Sequence, residues 1–423
     1  MGKVSLVSLG CPKNLVDSEK LLKRLAEYGI SYDPDPDHAD LILINTCGFI
    51  EDAKRESVDE ILRLAEKKGP RKLIVFGCLA KRFGDELKKE IPEIDALYGV
   101  GEEEKIAAFC GSVLTPSETL QAPFVLSDAS YAYLKIAEGC DRGCSYCVIP
   151  HIRGRFRSRD PEDILKEAEL LVGSGRKELI IVAQDITSYG RDMPGYNLER
   201  LLRNMAAISG DFWVRLLYLF PTAVTDELLE TIGEEEKICN YLDIPFQHTE
   251  QRILRLMRRS GSREMFRKLI RRIRNTIPGV ALRTTLITGF PQETDEDFEH
   301  MLSFVKDVAF DRLGVFAYSR EEGSAAYALR GQVPKAIRKK RREMIMEVQA
   351  GISLDKNKIL VGRVFPALVD EADSNVAVAR IYSQAPEIDG VVFIRQPGIR
   401  KGTFVQARID AAYDYDLGGS ITG

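Results

Sequence analysis

Three closely spaced cysteines stand out as residues that could bind an inorganic cofactor. Cys140, Cys144 and Cys147 form a C-x3-C-x2-C run, so three thiolates could wrap one small centre from a single loop. A closed iron–sulfur cluster normally takes four cysteines, and a set of three therefore leaves one iron open to bind another molecule. The alternative is a zinc knuckle that completes its ligand set with a distant residue. The surrounding alternation of strands and helices favours the iron–sulfur interpretation.

A second set of three cysteines is spread over the N-terminal part of the chain. Cys11, Cys47 and Cys78 each follow the end of a predicted strand, with 35 and 30 residues between them. This spacing is close to the length of one βαβ unit, and parallel strands bring their carboxyl ends to one edge of a sheet. We therefore predict a second three-thiolate site with one open iron; the alternative is three unrelated buried cysteines. Cys110 and Cys239 lack such a context and are predicted to be packing residues.

The composition favours a cytoplasmic metalloprotein over a secreted, membrane-spanning or nucleic-acid-binding protein. Eight cysteines without a recognisable export signal are better explained by metal binding or catalysis than by disulfides. The apolar segment Val4–Leu9 lacks a basic flank and a cleavage site, and no stretch reaches the ~18 apolar residues of a membrane helix. The chain has 60 Lys and Arg against 64 Asp and Glu, a net charge of −4, whereas nucleic-acid-binding proteins usually carry a basic excess.

The elements that must position the N-terminal cysteines alternate between short apolar runs and amphipathic stretches. Continuous apolar strands separated by helices predict a parallel sheet that is covered on both faces. The predicted strands are Val4–Leu9, Leu41–Thr46 and Leu73–Gly77, and the predicted helices are Val16–Tyr28, Asp52–Lys67 and Lys81–Glu90. Residues from about 111 to 130, which include Pro116 and Pro123, lose this periodicity and are predicted to form a linker.

The middle of the chain repeats the strand–helix alternation six times. The predicted strands are Leu134–Ala137, Leu179–Ala183, Val214–Leu219, Tyr241–Pro245, Leu282–Ile287 and Leu313–Ala317. A helix is predicted at Pro161–Val172, because proline suits a first helical turn. Six β/α units fall short of the eight that close a barrel, so we predict a partial barrel. Cys140 directly follows its first strand, and active sites in this architecture lie at the carboxyl ends of the strands.

The C-terminal part of the chain changes character. A long charged helix is predicted from about Lys335 to Asn357, followed by short strands at Val376–Tyr382, Gly390–Ile394 and Thr403–Ile409. These strands predict a small antiparallel β-barrel. The predicted fold class is α/β, with a parallel α/β domain at residues 1–122, a partial (β/α)6 barrel at 128–350 and the small barrel at 355–423.

Two three-cysteine sites followed by a small barrel resemble the methylthiotransferase family of radical S-adenosylmethionine (SAM) enzymes over essentially the whole chain. The resemblance is specific at Ser8–Asn14, Asn45–Cys47, Gly77–Cys78 and from Glu138 to Gly154. Members combine an N-terminal methylthiotransferase domain with an auxiliary [4Fe–4S] cluster, a radical SAM domain and a C-terminal TRAM domain. The resemblance therefore implies two [4Fe–4S] clusters, whose ligands would be Cys11, Cys47 and Cys78 for the auxiliary cluster and Cys140, Cys144 and Cys147 for the radical SAM cluster.

The same resemblance implies the chemistry. The radical SAM cluster would cleave SAM to a radical that removes hydrogen from an unreactive carbon. The auxiliary cluster would hold a sulfide or persulfide sulfur that a second SAM methylates, and a flavodoxin or ferredoxin would supply electrons. Tyr146, Gln184 and Gly289 are predicted to contact SAM, although Gly289 also suits an ordinary turn at the end of a strand. No catalytic acid or base is predicted, because the cofactors carry the chemistry. A structural hydrogen bond is favoured over a substrate contact for His151 and His248.

The family has two branches that differ in substrate. One modifies an adenosine in tRNA, and the other modifies the β-carbon of an aspartate in small-subunit ribosomal protein S-twelve. Cys147–Arg159 and Ile244–His248 resemble the protein-modifying branch, whereas the tRNA branch typically has Gln-Ser-Gly at residues 247–249. Residues 359–423 carry six basic and eight acidic side chains, a balance that suits a basic protein better than phosphates.

Two alternatives stay open from the sequence. The first is a tRNA adenosine methylthiotransferase, for which the basic stretches Arg252–Arg274 and Arg338–Arg342 are the supporting feature; solvated helix faces are the favoured explanation of these charges. The second is a non-catalytic iron–sulfur or zinc-binding factor, which both open fourth positions disfavour. Neither a membrane nor a nucleic acid outside the ribosome is an expected partner.

Overall fold

A five-stranded parallel sheet forms the N-terminal part of the chain in the computed structural model, which describes residues 2–115, 126 and 129–422. Its strands are β1 (Lys3–Ser8), β2 (Ser31–Tyr32), β3 (Leu41–Thr46), β4 (Lys72–Gly77) and β5 (Ala96–Tyr98), in the spatial order β2-β1-β3-β4-β5. Every neighbouring pair is parallel. The three predicted strands are confirmed to within one residue. The edge strands β2 and β5 have two and three residues, too few to show a periodic pattern.

Helices cover both faces of this sheet, as predicted. They are α1 (Pro12–Glu27), α2 (Glu51–Lys67), α3 (Cys78–Glu90) and α4 (Glu103–Val113). Leu41 and Leu43 of β3 pack with α1 and α4, while Ile42 and Ile44 pack with α2 and α3. Helix α4 was not predicted, and it occupies the first residues of the predicted linker. The rest of that linker lies largely outside the described residues, including Pro116 and Pro123.

A second parallel sheet has six strands and is open, which confirms the prediction of six β/α units. After β6 (Tyr131–Lys135) come two short strands, β7 (Ala137–Glu138) and β8 (Arg157–Ser158). The remaining strands of the sheet are β9 (Glu178–Val182), β10 (Trp213–Leu216), β11 (Ile238–Asp243), β12 (Ala281–Thr288) and β13 (Arg312–Ala317), in the order β13-β12-β11-β10-β9-β6. All five pairings are parallel.

The helices of this region begin with the short α5 (Ile149–Arg153), which follows the closely spaced cysteines. The others are α6 (Pro161–Gly173), α7 (Leu198–Ala206), α8 (Asp226–Glu234), α9 (Gln251–Leu256), α10 (Arg263–Thr276), α11 (Asp295–Val308) and the long α12 (Lys335–Leu360). Helix α6 begins where the sequence indicated, with Pro161 in its first turn and the Asp160 carboxylate accepting from the backbone N–H of Glu162. Within the described parts of the chain, none of the helices has both the length and the apolarity to cross a membrane.

Five strands close into a barrel at the C-terminus. They are β14 (Val364–Ala372), β15 (Ala377–Ile381), β16 (Val392–Ile394), β17 (Phe404–Ala412) and β18 (Leu417–Ile421), joined in the order β14-β15-β16-β18-β17. The predicted small antiparallel barrel is confirmed, and one of its five strand pairings, β16 with β18, is parallel. Strand β14 was not predicted, since Pro366 and two acidic residues interrupt its pattern.

The chain divides into two compact units, and each unit combines segments that are not contiguous in the sequence. The first contains Met1–Asp128, Glu138–Phe156 and Ser319–Tyr327, and the second contains Ala129–Ala137, Arg157–Tyr318 and Ala328–Gly423. The closely spaced cysteines therefore belong to the same unit as the N-terminal sheet. The six-stranded sheet and the C-terminal barrel share the other unit.

A buried ion cluster joins the barrel to the six-stranded sheet within the second unit. The Glu178 carboxylate lies 2.5 Å from Arg215 Nε and 2.6 Å from Arg380 Nη1, and the side chains of Glu178 and Arg215 have no exposed surface. Arg380 also contacts Asp370, with Nη2 donating to Oδ1 at 2.9 Å. Burial opposes ionisation of Glu178, but the two guanidinium groups outweigh it and hold the pKa of that carboxyl below its usual value.

Candidate functional site

The three N-terminal cysteines meet at the carboxyl edge of the first sheet. Cys11 is the extended residue directly before α1, Cys47 directly follows β3, and Cys78 is the first residue of α3. Cys47 and Cys78 are 8% and 4% exposed, while Cys11 is partly exposed. Two of these thiols thus lie at helix N-termini, where the helix dipole favours negative charge.

Asn14 connects the strand ends that carry these cysteines. Its side-chain Nδ2 donates to the carbonyl oxygens of Leu9 and Thr46, at 3.0 and 3.1 Å. Its Oδ1 lies 3.9 Å from Cys11 Sγ and 3.7 Å from Cys78 Sγ, within reach of both thiols. One buried amide therefore fixes the ends of β1 and β3 and contacts two of the three sulfurs.

Hydrogen bonds and close steric contacts also fix the backbone around Cys47 and Cys78. Ser57 Oγ accepts from the Cys47 N–H at 3.0 Å and donates to the Cys47 carbonyl at 3.1 Å. Gly77, which precedes Cys78, has φ +95°, and an added Cβ would clash with Asn45 Oδ1 and lie 2.9 Å from the Thr46 carbonyl. The position of Cys78 therefore requires glycine before it.

The donor set fits an iron–sulfur cluster. Burial raises the pKa of Cys47, and it raises the pKa of Cys78 to about 12, so cofactor binding must displace protons from these thiols. Across the described residues, no three His, Cys, Asp or Glu side chains surround a position for a single metal ion. A [4Fe–4S] cluster does not require its ligands to converge on one position, because each cysteine binds its own iron.

The second set of cysteines lies in an irregular loop between β7 and α5. The Cys140 N–H donates to the Gly154 carbonyl at 3.2 Å, and the Cys147 N–H donates to the Cys144 carbonyl at 3.1 Å. All three cysteines are partly exposed. Gly139 has φ +77°, and an added Cβ would clash with the Arg155 carbonyl. The start of the loop therefore packs directly on the backbone that follows α5.

The segment Ser319–Tyr327 packs on the same unit and contacts the cysteine loop. The Ala326 N–H donates to the Ser145 carbonyl at 2.7 Å. The Glu321 side chain is 2% exposed and accepts from Lys54 Nζ of α2 at 2.7 Å and from Arg82 Nη1 of α3 at 3.1 Å. Burial opposes ionisation of Glu321, but these cations hold its pKa below the usual value.

Arg153, the last residue of α5, lies between the two sets of cysteines. Its Nη1 donates to both carboxylate oxygens of Glu138, at 3.0 and 3.1 Å. Its Nη2 donates to Asn14 Oδ1 at 2.7 Å and Asp17 Oδ2 at 3.0 Å, and lies 3.6 Å from Cys78 Sγ. Burial would lower the pKa of Arg153, but Asp17 and Cys78 reverse that effect and raise it. Sequence reasoning missed Asn14, Asp17 and Arg153, although two of them lie within the motifs that carried the resemblance.

The three residues predicted to contact SAM lie on different elements. Tyr146 is in the cysteine loop, whereas Gln184 and Gly289 follow β9 and β12 at the carboxyl edge of the six-stranded sheet. Gly289 has a clear structural role, because its N–H donates to the Glu293 carboxylate at 2.9 Å and an added Cβ would clash with Arg338. The turn that it forms is therefore required whether or not a cofactor binds there.

His248 makes structural hydrogen bonds, as favoured from the sequence. It is fully buried, its Nδ1 accepts from the Glu250 N–H at 3.0 Å, and its Nε2 lies 3.2 Å from Glu293 Oε2. Because Nδ1 accepts, Nε2 carries the proton and donates to Glu293. His151, in contrast, is exposed on α5.

Known protein families match most of the chain. Residues 3–99 match the family described as "Uncharacterized protein family UPF0004", residues 134–305 match the radical SAM superfamily, and residues 361–422 match the TRAM domain. Among solved structures, the radical SAM methyltransferase TsrM from Kitasatospora setae, with cobalamin and a [4Fe–4S] cluster bound, has a TM-score of 0.56 at 13% identity, covering 75% of this chain and 72% of that one. The cobalamin-dependent SAM radical enzyme OxsB has a TM-score of 0.53 at 13% identity, covering 82% and 56%. These likenesses show the fold.

Full-length relatives identify the family. A protein of Thermodesulfovibrio yellowstonii named ribosomal protein uS12 methylthiotransferase RimO is 52% identical, with 100% of both chains covered. Proteins of the same name from Geobacter sulfurreducens and Aquifex aeolicus are 46% and 44% identical, covering 99% of this chain and 98% and 97% of theirs. These names support the protein-modifying branch and not the tRNA-modifying one. The chain therefore belongs to the RimO family of radical SAM methylthiotransferases.

Proposed function

We propose that this chain attaches a methylthio group to the β-carbon of an aspartate in ribosomal protein uS12, using two [4Fe–4S] clusters and SAM. The observation that carries the proposal is the pair of separate cysteine sets. One set meets at the edge of the N-terminal sheet, and the other occupies a single loop that precedes α5. The substrate is taken from the names of the full-length relatives.

The six cysteines would hold the two clusters. Cys140, Cys144 and Cys147 are the proposed ligands of the radical SAM cluster, and Cys11, Cys47 and Cys78 are those of the auxiliary cluster. When bound, these clusters and SAM supply the radical and sulfur chemistry. The protein's own contribution is to fix the ligands: Asn14 and Ser57 hold the first set, and the backbone contacts of Gly139 and Gly154 hold the second. We propose functional domains at residues 1–122, 128–350 and 355–423.

The proposal also covers the SAM contacts, the transferred sulfur, the electron donor and the location in the cell. Tyr146, Gln184 and Gly289 would contact SAM, the transferred sulfur would be a cluster-bound sulfide or persulfide, and a flavodoxin or ferredoxin would donate electrons. The site of action would be the cytoplasm. No protein acid or base is assigned a proton-transfer step.

The charges of the second unit support a basic protein as the substrate. Much of the basic stretch around α10 is engaged in ion pairs: Arg267 pairs with Asp307 at 2.6 Å, and Arg272 pairs with Asp226 at 3.2 Å. These cations are therefore poorly placed to neutralise RNA phosphates. On the barrel, which carries a net charge of −2, Glu371 is exposed and suits a basic partner.

The proposal is tested with the anaerobically reconstituted full chain, SAM, a reductant and sulfide, with mass spectrometry of the products. Replacing Cys140, Cys144 and Cys147 by Ala should abolish SAM cleavage and keep about half of the iron, because the auxiliary cluster keeps its own ligands. Replacing Cys11, Cys47 and Cys78 should preserve SAM cleavage and stop methylthio transfer. The matched control is Cys110→Ala, a buried cysteine outside both sets, which should change neither activity. Loss of all iron from either folded triple variant would contradict two separate sites.

The substrate is tested by offering uS12 and tRNA to the same enzyme in separate reactions. The expected product is uS12 that has gained one methylthio group on an aspartate. Methylthio transfer to tRNA, with uS12 left unmodified, would refute this part of the proposal and leave the cluster assignment in place.

A further inference from the structure

Arg153 is a buried cation whose guanidinium contacts one of the N-terminal cysteines. Its guanidinium lies 3.6 Å from Cys78 Sγ, through the same Nη2 that donates to Asn14 Oδ1 at 2.7 Å. The Arg153 side chain is 1% exposed, so solvent does not screen its charge from the sulfur. A hydrogen bond or positive charge at a ligating sulfur is one of the factors that set the potential of an iron–sulfur cluster.

The same side chain is fixed to the cysteine loop from both ends. Arg153 ends the helix that follows Cys147, and its Nη1 donates to Glu138, which lies two residues before Cys140. Because Nη1 donates to Glu138 while Nη2 donates to Asn14 and Asp17, the guanidinium is held from two sides. The atoms that touch Cys78 are therefore positioned by the segments that carry the other set of cysteines.

We propose that Arg153 is a positioning residue that raises the reduction potential of the cluster at Cys11, Cys47 and Cys78 and aligns the cysteine loop with that site. This proposal rests on the assignment of the two clusters made above. Arg153 does not contact the substrate in this role; it acts through Cys78 on one side and Glu138 on the other. A neutral side chain at position 153 would leave Asp17 and Glu138 without the guanidinium that pairs with them.

The test isolates the auxiliary cluster in the full-length chain. The background variant has Cys140, Cys144 and Cys147 replaced by Ala, and the midpoint potential of its remaining cluster is measured by redox titration with electron paramagnetic resonance detection. Arg153→Gln in this background should lower the midpoint potential, and Arg153→Lys should restore part of the difference because it keeps the charge. The matched control is Arg155→Gln, which removes a guanidinium that is 95% exposed on the same segment and should leave the potential unchanged.

Each outcome decides a separate question. An unchanged potential in Arg153→Gln, with the cluster retained, would overturn the role of Arg153 while leaving the two-cluster assignment intact. Loss of the cluster in both Arg153→Gln and Arg153→Lys would also overturn it, because charge would not then be the property that matters. Loss of the cluster in Arg153→Gln, with retention of the cluster in Arg153→Lys, would support the role of the Arg153 charge. A background variant that binds no iron at all would instead refute the proposed function, and would overturn this proposal with it.

Discussion

Removal of the Arg380 guanidinium should destabilise the unit that contains the six-stranded sheet and the barrel. Arg380 is 2% exposed and lies between Glu178 of β9 and Asp370 of β14, so its loss leaves two carboxylates short of a counter-charge. Breaking one partner of a buried ion pair costs about 3–5 kcal/mol. With roughly 2–4 °C of Tm per kcal/mol for domains of the larger size class, Arg380→Ala should lower the Tm by at least about 6 °C.

The assay is thermal unfolding followed by circular dichroism, with Arg395→Ala as the matched control. Arg395 is exposed on the same barrel, and its removal should change stability by less than about 0.5 kcal/mol. The double variant Arg380→Met with Glu178→Gln should lose less stability than the sum of the two single variants, because it keeps the net charge of the cluster at zero, whereas each single replacement leaves an excess charge. A Tm for Arg380→Ala within 2 °C or so of the unaltered protein would refute the reasoning.

Three further predictions concern pH and the first cysteine set. The pKa of Glu178 is lowered in the folded chain, so the ionised carboxylate stabilises the fold at pH values above its unfolded pKa of 4.5. This stabilisation is lost as the pH falls below that value, and Glu178→Gln should therefore flatten the acid limb of a Tm–pH profile. Gly77→Ala should cost about 1–3 kcal/mol and reduce iron content, because it clashes with Asn45, whereas Gly84→Ala in the open middle of α3 should be neutral or stabilising. Asn14→Asp keeps the shape but loses two donated hydrogen bonds; we expect a loss of about 1–3 kcal/mol by urea unfolding and less bound iron, and an unchanged iron content would contradict the role of the amide.

The ion cluster also limits which variants can test whether the barrel selects the substrate. A chain that ends near Asn357 would lose Arg380 beside Glu178, and also Asp389, whose carboxylate accepts from the Tyr241 hydroxyl at 2.7 Å. Deletion of the barrel would therefore disturb the sheet as well as any docking surface. The Asp370 carboxylate pairs with Arg380, so replacing Asp370 would also break that ion pair. Glu371→Lys is therefore the better test of whether an acidic face of the barrel binds the substrate.

The sequence predicted the longer strands of both parallel sheets because those strands are buried and read as apolar runs, whereas the short edge strands β2 and β5 were missed. It also indicated that Cys11, Cys47 and Cys78 share one edge, since that follows from parallel strand direction. It could not predict the contacts of Arg153 with Asp17 and Cys78, because these pair residues more than 70 positions apart through side-chain geometry alone.

Short and interrupted elements were missed for a different reason. Strand β18 contains Gly418 and Gly419, which carry no side chain to show alternation, and its parallel pairing with β16 depends on how the barrel closes. Likewise, nothing in the local pattern of Ser319–Tyr327 indicates that it packs with the N-terminal sheet and not with the strand β13 that precedes it.

The difference in how the two cysteine sets are built has a consequence for the order of maturation. Cys140, Cys144 and Cys147 lie within eight residues and could capture iron on a chain that has not yet folded. Cys11, Cys47 and Cys78 approach one another only after β1, β3 and β4 have paired, because each lies at a separate strand–helix junction. Insertion of the auxiliary cluster proposed above would therefore wait for the sheet, and its retention during denaturation would report whether that sheet is still intact.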